Sequence, residues 1–342
     1  MTGPLPALLD ELLRAPGPSG AEQAVAAVVR REATALGAEV GTDVLGSTVA
    51  RVRGAGGGRL LAFFAHVDQV ALAVRRVRGD GLLEVAKLAN WSAAAAVHQR
   101  VEILARAGPV PGVVAAGGEG EPGWDDLLVD VGAASEEEAA ALVSPGDPAV
   151  VLGAPVELAA GRVASAALDD RAGLYAGLEA LRALAAEPPA RDVALVATSQ
   201  EESGRHGGAA AAAARLRPDV AVAVEVTFAG DAPGPPAWGD VRLGGGPVVF
   251  RGPVAHPAVA EALLAAARAA GVAVQVETAA LTWSDADDVF ATAGGIATGL
   301  VSIPLRYMHT AGEVADLADI EATTRLLVAL ARALDDGFDP SR

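Results

Sequence analysis

The segment LLAFFAHVD (residues 60–68) holds six consecutive apolar residues, followed by a histidine and, two residues later, an aspartate. A short continuous apolar run is typical of a strand buried on both faces, as in a parallel sheet. Similar runs recur along the chain and alternate with stretches of helical period. We predict further strands over 192–198, 219–226, 272–276 and 299–304, and helices over 170–185 and 319–334. The alternation predicts an α/β fold in which a mostly parallel sheet is flanked by helices.

The sequence pattern changes between about residues 70 and 161, and this stretch interrupts the alternation of strands and helices. It consists of short apolar segments separated by turn residues such as Gly79-Asp80-Gly81 and Gly108-Pro109. Such spacing is typical of short strands joined by tight turns. We therefore predict a catalytic α/β domain built from residues 1–69 and 162–342, with a small β-rich domain inserted over residues 70–161.

The N-terminal region predicts two helices. Leucines between residues 5 and 13 fall on one helical face, which indicates a core helix rather than a signal peptide. Ser19 and Glu22 have the spacing of a capping box, which predicts that a second helix starts near residue 20.

The composition narrows the possible classes of function. The chain has 342 residues, of which only 4% are aromatic, and a formal net charge of −17, so it lacks the basic surface that nucleic acid binding requires. There is no cysteine, and any metal site must therefore use nitrogen and oxygen ligands. The apolar runs are shorter than the roughly 20 residues that cross a bilayer. We expect a soluble cytoplasmic protein with no membrane partner.

Candidate ligands follow the predicted strands at the points where these strands end. The set comprises His66 after the first run, Glu201 and Glu202 after 193–198, Glu225 after 220–224, His309 after 300–305, and Asp169 with Asp170 where a helix begins. Open parallel sheets place their sites at the carboxyl ends of their strands. We therefore expect these side chains to converge on one edge of the sheet.

The residue types in this set suit a pair of divalent ions. Two ions about 3.5 to 4 Å apart need a bridging carboxylate and further ligands on each side, and Asp169 is the predicted bridge. Asp68 lies two residues after His66 and is near enough to hold the second ring nitrogen of that histidine. Because Glu201 and Glu202 are adjacent, they cannot point the same way, so we assign Glu202 as a ligand and Glu201 as the general base. The set predicts a two-metal hydrolase.

The remaining histidines and motifs favour simpler interpretations. His98 falls in the predicted insertion, and His256 before a proline indicates the start of a helix. His206 stays ambiguous because it lies close to the glutamate pair. No Gly-x-Ser-x-Gly motif follows a strand, and the glycines at 244–246 indicate a turn rather than a phosphate-binding loop.

Nine ordered segments resemble the M42 family of metallo-aminopeptidases, which includes glutamyl aminopeptidases and large tetrahedral aminopeptidases. They are PGPSGAE (16–22), AHVD (65–68), DLLVDVGAASEEEA (126–139), ALDDRAG (167–173), SQEESG (199–204), EVTFAGD (225–231), GGGPVV (244–249), SDAD (284–287) and IPLRYMHT (303–310). They are distributed between residues 16 and 310, so the resemblance spans nearly the whole chain.

The resemblance implies a β-barrel-like inserted domain that helps assembly, and an enzyme that removes residues from peptides with a free N-terminus. It implies two divalent ions per chain, with zinc first and cobalt or manganese as alternatives. His66 and Glu225 would hold one ion, Glu202 and His309 the other, Asp169 would bridge them, and Glu201 would be the base. Members form dimers up to twelve-subunit shells, so we expect a homo-oligomer.

Several positions depart from the family pattern. Glu225 stands where aspartate is usual, His206 where arginine is common, and Gln69 where glutamate is common. Residues 117–121 replace a stretch that often carries proline and histidine. Two alternatives therefore stay open: metal-dependent hydrolysis of another substrate, as by a deacylase or a glycan hydrolase, and a catalytically impaired assembly protein on the same scaffold.

Overall fold

The helices and strands of the chain were taken from a computed structural model, which describes residues 4–56, 58–117, 120–205, 207–234, 237–335 and 337–340. The helices are α1 (Ala7–Arg14), α2 (Gln23–Ala35), α3 (Ala93–Ala96), α4 (Glu136–Leu142), α5 (Leu168–Ala186), α6 (Gly207–Leu216), α7 (Pro257–Ala270), α8 (Asp285–Val289) and α9 (Leu317–Ala333). The strands are β1 (Glu39–Thr42), β2 (Thr48–Val52), β3 (Leu60–His66), β4 (Ala71–Val77), β5 (Leu83–Leu88), β6 (Arg100–Ala105), β7 (Gly108–Ala116), β8 (Leu127–Asp130), β9 (Pro148–Val151), β10 (Val156–Glu157), β11 (Arg162–Ser165), β12 (Asp192–Thr198), β13 (Val220–Phe228), β14 (Val248–Phe250), β15 (Gln275–Glu277), β16 (Ala297–Leu305) and β17 (Glu313–Asp316).

The central sheet of the described chain has the strand order β1-β2-β12-β3-β13-β16-β14-β15. Its middle strands β12, β3, β13 and β16 are parallel, whereas β2 and β14 join them antiparallel on either side. Every residue of β3 and of β12 is buried, because helices cover both faces of the sheet. The predicted α/β fold with a mostly parallel sheet is confirmed.

Alternate residues of β3 face opposite helical layers. Phe63 packs in one core cluster with Leu178 of α5 and Leu327 of α9. Its neighbour Phe64 packs in another cluster with Ala212 of α6. This two-residue period is the geometry of a strand, and it explains why the run at 60–65 is apolar without interruption.

The inserted segment forms a closed barrel in which the strands follow the order β4-β5-β8-β7-β6-β9. These strands run between Ala71 and Val151 and enclose a separate core that includes Leu72, Ile103 and Val129. The β-barrel-like insertion is therefore confirmed. The domain limits at residues 70 and 161 stay a prediction.

One local prediction is corrected. Helix α2 begins at Gln23, and neither Ser19 nor Glu22 forms a side-chain cap on it, because both side chains are used in longer-range contacts described below. The segment after residue 162 forms β11, which pairs with β10 and β17 in a small separate sheet.

Candidate metal centre

The predicted ligands meet at the carboxyl edge of the parallel strands. His66 is the last residue of β3, and Glu202 follows β12 by four residues. His309 follows β16 by four residues, and Asp169 lies in the non-helical first turn of α5. Glu225 differs from the prediction, because β13 continues to residue 228 and Glu225 lies inside the strand.

Asp169 lies between the two histidines. Its Oδ1 is 2.9 Å from Nε2 of His66, and its Oδ2 is 3.2 Å from Nε2 of His309. Each carboxylate oxygen thus faces a different imidazole. This is the arrangement that a carboxylate bridging two ions requires.

One further carboxylate accompanies each histidine. Glu202 Oε1 is 3.5 Å from Nε2 of His309, and Glu225 Oε2 is 3.7 Å from Nε2 of His66. Asp170 joins His66 and Glu225 in a group whose potential ligand atoms lie within 4.8 Å of one another. The sequence placed Asp170 in the set without giving it a role, and this grouping makes it a further candidate ligand beside His66.

These residues fit divalent cations. Ligand atoms about 2.0 to 2.1 Å from one tetrahedral zinc ion lie about 3.3 Å from each other, which is the range of the separations observed here. Oε1 of Glu202 and Oε1 of Glu225 are buried and accept no hydrogen bond from the described residues. Buried carboxylate oxygens without donors are costly unless a cation neutralises them. The donor set, imidazole nitrogen and carboxylate oxygen, suits zinc, cobalt and manganese.

The pKa values reflect this crowding of acidic groups. Burial, together with neighbouring acids, raises the pKa of Glu202 and of Glu225 well above the usual range. Burial disfavours a charged imidazole, but contact with Asp169 outweighs burial and raises the pKa of His309 to about 10. For His66 the charge of Glu225 and the hydrogen bond with Asp169 likewise outweigh burial and raise its pKa. The carboxylates around the two imidazoles are thus the cause of the raised pKa values of these histidines.

Asp68 forms hydrogen bonds that position several residues of the candidate metal centre. It is fully buried, its Oδ1 accepts a hydrogen bond from the Glu201 amide, and its Oδ2 accepts one from the Glu202 amide, both at 3.0 Å. Ser19 Oγ donates a further bond to Oδ2 at 2.6 Å. Nδ1 of His66 lies 3.1 Å from the main-chain oxygen of Asp68 and 3.5 Å from its Oδ1. Asp68 therefore orients a histidine and two glutamates at once.

Glu201 lines the cavity beside the ligands. Its Oε2 is 4.0 Å from Nε2 of His66, and its side chain is buried. The preceding residue, Gln200, adopts a left-handed conformation with φ 61°, and its amide donates to Glu22 Oε1 at 3.2 Å. The chain therefore turns sharply after β12, which presents the glutamate pair to the cavity.

Some residues of the centre were not found by sequence reasoning. Glu313 accepts hydrogen bonds from the amides of Asp169 at 3.1 Å and His309 at 2.8 Å, and burial raises its pKa to about 8. Gln69 Oε1 accepts a bond from the Gly17 amide at 3.3 Å. β17 has the sequence Glu-Val-Ala-Asp, and no local pattern in it distinguishes Glu313 from the other acids of the chain.

Of the other histidines, His98 and His256 are in the described part of the chain and belong to neither candidate ligand group. His256 precedes α7 and its Nδ1 accepts a hydrogen bond from the Ala258 amide, which confirms the predicted helix start. His98 lies in the inserted segment with a left-handed φ of 62°. His206, and residues 118 and 119 of the 117–121 stretch, lie outside the described residues. Among those described, no helix is long and apolar enough to span a membrane.

An α/β sheet with an inserted barrel, and with histidines and carboxylates gathered at one sheet edge, defines the class of metal-dependent peptidases. The family model for the M42 glutamyl aminopeptidases matches residues 46–326, and the chain belongs to this family. The prediction of a peptide-bond hydrolase of the aminopeptidase type is thereby confirmed.

Three proteins similar to this chain differ in the activity or assembly that their names state. The lysyl aminopeptidase of Pyrococcus furiosus is 33% identical over 345 residues, which are 96% of this chain and 96% of that protein. The Pyrococcus horikoshii TET1 peptidase, which can assemble into a tetrahedron or a large octahedral shell, has a TM-score of 0.85 at 28% identity and covers 95% and 98% of the two chains. A Thermotoga maritima protein named an endoglucanase has a TM-score of 0.79 at 27% identity and covers 94% and 96%.

Proposed function

We propose that this protein is a two-metal aminopeptidase that removes residues from peptides with a free N-terminus. In this proposal His66 and Glu225 hold one divalent ion, Glu202 and His309 hold the other, and Asp169 bridges them. Zinc is the first candidate, with cobalt and manganese as alternatives. Glu201 is the general base.

The observation that carries the proposal is the position of Asp169 between His66 and His309, with one carboxylate oxygen toward each ring. A carboxylate that only neutralised one histidine would not need its second oxygen opposite another. The buried oxygens without a hydrogen-bond donor support the same interpretation: Oε1 of Glu202 faces His309, and Glu225 turns Oε2 toward His66 while its Oε1 has no donor among the described residues.

When bound, two divalent ions polarise a carbonyl group and lower the pKa of water. The residues of the chain then have two roles: they bind the ions, and they transfer one proton. Glu201 takes a proton from the attacking water and delivers it to the amine that leaves. Asp68 keeps Glu201 in place by accepting a hydrogen bond from the main-chain amide of Glu201.

Paired substitutions of adjacent glutamates test these roles. We expect Glu201→Gln to retain two ions per chain and to lower kcat by at least roughly 10³-fold, because a lost proton-transfer group cannot be replaced by the amide. Glu202→Gln is the matched control and should lose an ion. Metal content and aminoacyl hydrolysis are measured on the same preparations. Normal turnover by Glu201→Gln would exclude it as the base.

Hydrolysis of a glycan is the second candidate, since a protein of this fold bears the name endoglucanase. Glycan cleavage ordinarily relies on two carboxylates without a metal. The two candidates separate in one assay of peptides, blocked peptides and β-glucans with and without a chelator. Chelator-sensitive cleavage confined to free N-termini supports the aminopeptidase, whereas chelator-resistant glucan cleavage contradicts it.

A catalytically impaired assembly protein stays an alternative because of Glu225, and fewer than two bound ions per chain would favour it. We also propose that residues 70–161 act as an assembly domain in a homo-oligomer, for which the shells formed by the TET1 peptidase are the support. Sedimentation of the purified protein tests this. The cytoplasmic location stays a prediction from the sequence.

A further inference from the structure

The cavity beside the candidate metal centre contains a buried acid to which the proposed chemistry gives no role. Glu277 ends β15, lines this cavity of about 670 Å³, and is only 2% exposed. Its Oε2 accepts a hydrogen bond from the Thr227 hydroxyl at 2.7 Å, and the Ser302 hydroxyl also interacts with the carboxyl group. Within the described ranges, Oε1 has no hydrogen-bond partner. The carboxyl group of Glu277 thus has one oxygen that accepts a hydrogen bond and one that does not, and it lines a cavity large enough for a ligand.

The surroundings of Glu277 lack a cation. Burial raises its pKa, and the groups that oppose burial are the hydroxyls of Thr227 and Ser302 alone, with no described arginine or lysine beside them. A buried carboxylate without a counter-charge is unfavourable unless a ligand supplies one. The free oxygen is therefore suited to a cationic group that arrives with the substrate.

Strands β13 and β16 place Glu277 on the same side of the sheet as the candidate metal centre. Thr227 lies two residues beyond Glu225 in β13, so both face the same side, about 7 Å apart along the strand. Ser302 is the register partner of Glu225 on β16. Glu277, held by these two hydroxyls, therefore lies near the proposed ligand Glu225 and lines the same cavity.

Aromatic rings line the same cavity. Phe228 and Trp238 meet edge to face with their centroids 6.4 Å apart, and Trp283 is 71% exposed. Of the four tryptophans in this aromatic-poor chain, three line this cavity: Trp91, Trp238 and Trp283. Aromatic faces attract ammonium and guanidinium groups and also pack against their aliphatic stems.

We propose that Glu277 is the specificity-determining residue of this enzyme and that it selects peptides whose N-terminal residue is lysine or arginine. The inference rests on the proposed aminopeptidase function. The ammonium or guanidinium group of the substrate binds Oε1 of Glu277, and its stem packs against the aromatic wall. A neutral side chain leaves Oε1 without a partner, and an acidic one is repelled.

A panel of aminoacyl substrates tests this proposal on the metal-loaded protein. The panel carries lysine, arginine, leucine, alanine and glutamate. We expect the unmodified protein to prefer lysine and arginine. In Glu277→Gln, kcat/KM for these two should fall roughly 10²-fold, the scale for losing one member of a buried charge pair. The values for leucine and alanine should stay within roughly 3-fold, because these substrates lose no such pair.

Two control variants sharpen the result. Glu277→Asp keeps the charge on a shorter stem, so it should keep the basic preference and shift it toward arginine, the longer side chain. Glu261→Gln removes an exposed glutamate paired with Arg251 and should leave the whole profile unchanged. Metal content and melting temperature are compared for every variant.

The outcomes are distinguishable. An equal loss for all substrates in Glu277→Gln would mean that Glu277 supports the fold or binds the α-amine, and it overturns the proposal. A flat profile of the unmodified protein, with leucine and alanine cleaved as fast as lysine, also overturns it and needs no variant. If no aminoacyl substrate is cleaved at all, the proposed aminopeptidase function fails instead.

Discussion

Nδ1 of His309 lies 2.8 Å from the main-chain oxygen of Asn90, a residue of the inserted segment between β5 and β6. Its Nε2 faces Asp169 and Glu202 on the α/β sheet side. One imidazole therefore joins the insertion to the candidate metal centre. A ligating histidine usually has its second nitrogen held in this way, which fixes both the tautomer and the ring orientation. Here the partner comes from the insertion rather than from the sheet.

Trp91 should control one of the two ions through this contact. Its indole Nε1 donates to the main-chain oxygen of Ala71 at 3.1 Å, and its ring packs edge-on against Trp124 at 5.1 Å. Trp91→Ala releases the segment that carries Asn90, so we expect the ion at His309 to bind at least about 10-fold more weakly, as in losses of other supporting contacts. Competition with a chromogenic chelator, fitted with two sites, measures this.

The control for this prediction is Trp91→Phe, which loses the indole donor but keeps a ring against Trp124. Trp91→Phe should weaken binding of the ion at His309 less than Trp91→Ala does. Because Trp91 lines the cavity, metal affinity rather than activity is the deciding measurement. Unchanged binding at both sites in Trp91→Ala would show that the insertion does not hold His309.

The position of the centre was predictable because it depends on local patterns. Apolar runs locate the central strands, and parallel strands bring their carboxyl ends to one edge, so the sequence alone groups His66, Glu202 and His309. The limits of each strand were less predictable. Glu225 was placed after its strand, yet β13 runs three residues further, since Val226, Thr227 and Phe228 continue the pairing with β16.

The supporting contacts could not be predicted because they join distant residues. Ser19 and Glu22 have the spacing of a capping box, but Ser19 instead binds Asp68, 49 residues away, and Glu22 binds the Gln200 amide, 178 residues away. Local spacing predicts local hydrogen bonds only, and a tertiary partner can replace them. Glu313 is similar, since it accepts from an amide 144 residues distant.

Glu225 should be a ligand despite its unusual length for the family. Glu225→Ala is expected to bind about one ion per chain, because the ion beside His66 loses its charged partner. Glu225→Asp restores the residue that the family pattern favours, but it shortens the side chain by one methylene in a site built around glutamate. We therefore expect it to keep two ions with a weaker affinity for one of them.

Metal content after dialysis against trace-free buffer, followed by chelator competition, measures both Glu225 variants. Glu225→Gln serves as the isosteric control, since it retains the volume and removes the charge. Two tightly bound ions in Glu225→Ala would exclude Glu225 from the centre. They would also favour Asp170, the other carboxylate grouped with His66, as the ligand.

Asp192, at the first position of β12, ties the strand that leads to the glutamate pair to its neighbour. Its Oδ1 accepts a hydrogen bond from the Gly54 amide at 2.8 Å, and its Oδ2 accepts one from Arg51 Nε at 2.9 Å and one from Arg53 at 3.2 Å. Burial alone would raise the pKa of Asp192, but the Gly54 amide and the Arg51 guanidinium outweigh it and hold the pKa below its ordinary value.

This lowered pKa predicts how the stability of an Asp192→Asn variant changes with pH. A carboxyl group with a depressed folded-state pKa stabilises the fold above its unfolded pKa, about 3.9, and loses this contribution as pH falls through the folded pKa. We expect Asp192→Asn to lower the free energy of unfolding by about 2 kcal/mol at pH 7. The difference should persist at pH 5 and shrink below pH 4, as the native carboxyl group also becomes neutral.

Urea unfolding of both proteins at each pH measures this difference in the free energy of unfolding. The control is Asp125→Asn at an exposed position, which is expected to stay within about 0.5 kcal/mol of the unmodified protein. A cost that is constant or grows toward acid pH would mean that packing rather than charge at Asp192 holds β12 in place.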